Sequence, residues 1–193
     1  MKDLEKDLIL FNLNTYLNYN RMKDYIKQLL TEATKDKNHH YPKDMIDKII
    51  LGSMKNLVKD FSSAYFSFLV APIAITFLGK CISKSKKFSA SEDEKKDFDL
   101  CINKLMPKYK DAKLYDRLRV GVLAMMRPKD GLGFTHRAEA KEMKVKHMDK
   151  NSDGDYILVM EDFWSDIFKA AREVKKMEFS DNDKMNKPFI DVP

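Results

Sequence analysis

The residues best suited to chemistry gather between Leu114 and Arg137, in LYDRLRVGVLAMMRPKDGLGFTHR. Arg117, Arg119, Arg127 and Lys129 supply cationic side chains, and His136 with Arg137 sets an imidazole beside a guanidinium. Guanidinium groups stabilise charge on phosphate, and an imidazole moves protons near neutral pH. The stretch holds no complete catalytic set. Gly131 and Gly133 form neither a G-x-x-x-x-G-K nor a G-x-G-x-x-G loop, so a nucleotide phosphate cradle is not indicated. Other ligand-like runs are no stronger. His39 and His40 are adjacent and would face opposite ways on a strand. DKNSDGD places Asp149, Asn151, Asp153 and Gly154 like the start of a calcium loop, but its twelfth position is Met160. No metal or other cofactor is therefore expected.

A helix must position the basic residues. Leu114, Leu118, Val122 and Met125 recur on one helical face, which predicts burial of that face. Gly121 lies on the same side; it costs about 1 kcal/mol in a helix interior, which predicts a close neighbour there. Pro128 ends the pattern. Upstream, residues 3 to 34 read as a long helix and Lys35–Asp44 as a connector. Ile46, Ile50, Met54, Leu57 and Phe61 mark a second amphipathic helix.

The uncharged run Phe61–Gly79 follows directly. Its serines and Pro72 predict the buried centre of a domain rather than a membrane span, with Pro72 kinking or dividing it. Lys80–Lys96 reads as a polar loop ending in an N-cap. Phe98, Ile102 and Leu105 then point inward until Pro107. Near the C-terminus, Glu142–Met148 and Asp155–Met160 read as two short strands joined by DKNSDGD, a small β-hairpin. Asp162–Lys176 reads as a last helix buried through Phe163, Ile167, Ala170, Ala171 and Val174, with Trp164 beside them. The expected class is mainly α: one helical domain over residues 1–177 and an extended or disordered tail over 178–193.

LYDRLRVGVLA resembles a segment of HEPN-type proteins, in which an arginine is followed by four residues and then a histidine. Leu114 and Tyr115 fit the helix start, Arg119 the arginine and Gly121 the glycine, while the histidine position falls on Ala124. Ala71–Lys80, APIAITFLGK, resembles the apolar helix ending in Leu-Gly of such proteins, with Thr76 where many have aspartate. The resemblance spans residues 60 to 137. It implies a HEPN-like helical bundle, RNA as partner, metal-independent RNA cleavage in toxins or antiviral defence, and a homodimer meeting near Arg119. Arg119 and position 124 would be the catalytic pair. Arg117, Arg127, Lys129, His136 and Arg137 would be substrate contacts. Alanine cannot move a proton, so the chain as written is expected to be an inactive ribonuclease scaffold, or else a non-catalytic RNA- or protein-binding adaptor.

Bulk properties fit this class. The 193 residues are 44% hydrophobic and 34% charged, with a formal charge of +6, which permits an anionic partner. Six glycines and six prolines argue against a loop-dominated β-protein. Cys81 and Cys101 make no disulfide framework. MKDLEKDLILF lacks the apolar core of a signal peptide, so a cytoplasmic location with no membrane contact is expected.

Overall fold

A computed structural model of the chain describes residues 41–59, 64–85, 88, 93–122, 128–181 and 183–187. The predicted helix over residues 3 to 34, the pair His39–His40, and both Ala124 and Arg127 lie outside the described residues.

Pro42–Met45, Ile46–Ser53 and Met54–Lys59 run on as one helix, α1 (residues 42–59). Proline at its first position loses only an N–H that the helix would not use. The predicted stripe is buried: Ile46, Ile50, Met54 and Leu57 are each at most 6% exposed. Helix α2, Ala64–Ile82, buries Phe68, Ala71, Ile75 and Leu78. It is continuous through Pro72, so the expected division into two helices does not occur. An internal proline costs about 3 kcal/mol, and burial on both sides of Pro72 offsets this. Among the described residues no helix is long and apolar enough to cross a membrane.

Helix α3, Glu94–Leu105, starts at Asp93, whose carboxylate accepts from the Lys96 N–H at 3.3 Å. Phe98 and Ile102 face inward as spaced and Cys101 joins them, whereas Leu105 is half-buried. Among the described helices the α2–α3 pair makes the most extensive contact. Gly79 explains how close it is, because an added Cβ would sit 1.8 Å from the Asp97 carbonyl oxygen. After Met106 a 3-10 turn, Pro107–Ala112, leads through Lys113 at φ 47° into helix α4, Tyr115–Val120. Helix α4 widens to i→i+5 turns and buries Leu114 and Leu118 at its base.

The expected β-hairpin is replaced by a parallel pair. Strand β1, Leu132–Thr135, runs parallel to β2, Tyr156–Val159, in the register Leu132 to Tyr156 and Thr135 to Val159. A parallel pair needs a crossover, here containing helix α5, Arg137–Glu142. Glu142 therefore closes a helix, and the Met143–Val145 alternation belongs to the turn after it. What survives of the hairpin is one antiparallel bridge, Lys150 to Tyr156, around the Asn151–Asp155 turn. Asn151 Oδ1 accepts from the Asp153 and Asp155 N–H groups, at 3.0 and 2.8 Å, so this side chain builds the turn.

Helix α6, Met160–Lys176, buries the whole predicted stripe, and Trp164 is 0% exposed. Phe163 of α6 and Phe134 of β1 both face Phe68 of α2, which joins the strand pair to the helices. The described end of the expected extended tail instead folds back. Lys184–Asn186 forms a 3-10 turn with Met185 fully buried and Lys184 4% exposed. The Lys184 ammonium donates to the Ser83 carbonyl at 2.6 Å and its hydroxyl at 2.8 Å, at the end of α2. These bonds satisfy a charge that burial would otherwise penalise.

Candidate nucleic-acid interface

Arg117 and Arg119 are two residues apart on α4, and their environments differ. The Arg117 guanidinium donates to the Ala112 carbonyl at 3.3 Å and the Gly131 carbonyl at 2.9 Å. Its own carbonyl accepts from the Lys129 N–H at 3.1 Å. Gly131 must be glycine for two reasons. Its φ is +92°, and a Cβ would fall 2.3 Å from the Arg117 guanidinium carbon. Arg117 is thus a clamp that ties α4 to the turn before β1.

Arg119 reaches α3. Its Nη2 donates to both carboxylate oxygens of Glu94 at 3.0 Å each, with the side chains 24% and 37% exposed. Nε of Arg119 is buried and has no partner among the described residues. Tyr115 lies one turn before Arg119 on α4 and is half-buried, its ring edge-on to Phe98. The Lys95 ammonium, next to Glu94, sits 5.4 Å from the Tyr115 ring centroid. The Lys95 ammonium is itself paired with Asp99 at 2.5 Å, so Arg119, Lys95 and Tyr115 share the α3–α4 seam with both cations held by carboxylates of α3. Sequence reasoning found Arg119 and missed Lys95 and Glu94, which stand in the polar stretch about 25 residues earlier.

The other expected contacts lie elsewhere. Lys129 is exposed in the turn before β1. His136 holds the N-cap position of α5, where its carbonyl accepts from the Ala140 N–H at 2.7 Å. Arg137 turns to α6. Its guanidinium donates to Asp162 at 2.6 Å, which raises its affinity for its proton. Its N–H donates to Glu161 at 3.0 Å.

A second polar group, not anticipated from sequence, links the strand pair to α6. His147 Nδ1 accepts from the Val159 N–H at 3.0 Å, so the ring proton belongs on Nε2. Nε2 donates to the Tyr109 hydroxyl at 2.7 Å, and that hydroxyl donates to Asp166 at 2.7 Å. Lys108 and Lys169 also pair with Asp166. Burial, reinforced by the nearby Lys108 charge, pulls His147 down to about 4. Burial pushes the Tyr109 hydroxyl well above its ordinary value. Burial opposes ionisation of Asp166, but the bonds from Lys108, Tyr109 and Lys169 prevail and hold it below the usual carboxylate range. His147, Asp166, Lys108 and Lys169 line a depression of about 320 Å³ with Lys146, Asp162 and Ser165, while Tyr109 is buried behind it. Both imidazole nitrogens are engaged internally, so the chain of bonds serves the fold and is not free to take a ligand's proton.

Cys81 and Cys101 are buried thiols whose pKa values burial raises, Cys101 to about 12. Among the described residues no group of three His, Cys, Asp or Glu side chains is placed to hold a metal ion. No protein-family model matches the chain, and no curated protein or solved structure matches it.

Proposed function

We propose that this protein is a non-catalytic RNA-binding domain that holds the phosphate backbone at the α3–α4 seam through Arg119. The carrying observation is the state of Arg119 itself. It is the arginine of α4 that presents its guanidinium to an anion at a water-accessible surface, while Arg117 is spent on backbone carbonyls. A guanidinium nitrogen that holds both oxygens of a carboxylate can hold phosphate oxygens as well. Lys95, held by Asp99 in an exposed pair, adds a second cation that a ligand can exchange onto, and Tyr115 offers a ring for base stacking. The resemblance to HEPN-type proteins supports RNA as the anion. Alanine at position 124 leaves the resembling motif without a proton carrier, which favours binding over cleavage.

The test is a titration of labelled single-stranded RNA at two salt concentrations. Affinity should fall steeply with salt, because each phosphate contact releases counterions. Arg119→Ala should weaken binding and lower the log–log salt slope by about one. Binding that ignores both salt and Arg119 would refute the proposal.

A further inference from the structure

We infer that Glu94 is a built-in competitor for the anion that Arg119 binds, an inference that rests on the RNA-binding reading above. One Arg119 nitrogen meets both Glu94 oxygens at 3.0 Å, so the carboxylate occupies a position that a phosphate would need. The two residues come from different helices, and the exchange requires only side-chain rotation. With Glu94 37% and Arg119 24% exposed, solvent and ligand reach the pair.

Release of Glu94 leaves no buried charge stranded. Its carboxylate stays in the first turn of α3, where the helix N-terminus stabilises a negative charge with or without Arg119. The pair is therefore strong enough to hold the arginine when no ligand is present and weak enough to yield. A partly exposed pair of this kind lowers ligand affinity by up to about fivefold. A lone phosphate gains one contact and displaces the carboxylate poorly. An RNA backbone that also reaches Lys95 and Tyr115 gains several contacts at once and displaces it well.

The experiment compares wild type, Glu94→Gln, Arg119→Ala and the double variant, each titrated with one short labelled single-stranded RNA and with inorganic phosphate. Glu94→Gln should tighten RNA binding about two- to fivefold, and should make no difference when Arg119 is already alanine. Phosphate should gain at least as much as RNA. If wild type binds RNA through Arg119 and Glu94→Gln binds no better, the competitor role is overturned and the RNA reading stands. If Glu94→Gln tightens binding equally in the Arg119→Ala background, only net charge has changed and the inference fails. If no protein in the set binds RNA, both readings fall together. Should Glu94→Gln melt early, Glu94→Asp replaces it; that shorter side chain keeps the helix-end charge but withdraws the carboxylate from Arg119, and the same gain is expected.

Discussion

Acid should unfold this protein by charging His147. The ring is neutral in the fold at about 4 against 6.5 for a free histidine. A base whose folded value is depressed contributes stability that is complete above its unfolded value and is lost as pH falls toward its folded one. The window is therefore pH 6.5 down to 4, and the unfolded chain binds the extra proton throughout it. The full difference corresponds to about 3 kcal/mol at 1.36 kcal/mol per unit, of which about 2 kcal/mol is spent between pH 7 and 4.5. Asp166 acts in a separate, lower window, because its folded value lies below 3.8 and its contribution goes as pH falls through that value. The perturbation is His147→Asn, whose amide oxygen accepts from the Val159 N–H but does not titrate. Tyr109 still donates to Asp166, so the variant strands no buried donor and should lose about 1 kcal/mol at pH 7. Urea unfolding followed by circular dichroism at pH 7 and 4.5 gives the comparison. Wild type should lose about 2 kcal/mol more than the variant over that interval. Equal losses in the two proteins would refute the reasoning.

Two further outcomes follow from other residues. Gly79→Ala puts a methyl group 1.8 Å from a backbone oxygen of α3, where no side chain can yield. Separating the two helices should cost about 3 kcal/mol and lower the melting temperature by about 10 °C, and a shift within the error of the thermal melt would contradict the crossing. Ala124→His restores the proton carrier that the resembling motif contains. It should confer RNA cleavage that survives EDTA and disappears again with Arg119→Ala, as seen by gel analysis of a structured RNA; uncut RNA would leave binding as the whole activity.

The helices were legible because burial repeats along the chain at their own period. Ile46, Ile50, Met54 and Leu57, or Phe163, Ile167, Ala170, Ala171 and Val174, announce a buried face without reference to anything distant. Of the strand pair only β2 was legible, as the strand read over Asp155–Met160. LGFT is short, contains a glycine, and becomes a strand only through a parallel partner 24 residues later, whereas the neighbouring DKNSDGD turn favours the local hairpin. The folded-back Lys184 was hidden for a related reason, since a lysine in a polar tail reads as solvated until a carbonyl and hydroxyl at the end of α2 receive it.

The candidate site divides along the same line. Arg117 and Arg119 have the same side chain on the same basic flank, and no local pattern separates them. What separates them is the missing Cβ at Gly131, which admits one guanidinium into the turn, and the Glu94 carboxylate, which meets the other across the helix seam. A basic patch counted from sequence thus overstates the charge available to a ligand. Arg117 is spent on carbonyls, Arg137 on Asp162, and Arg119 is held by Glu94 in an exchange that another anion can enter. Arg119 is bound by a replaceable, solvent-reached carboxylate rather than by backbone, so, unlike Arg117, it can give binding energy to a ligand without releasing the turn before β1.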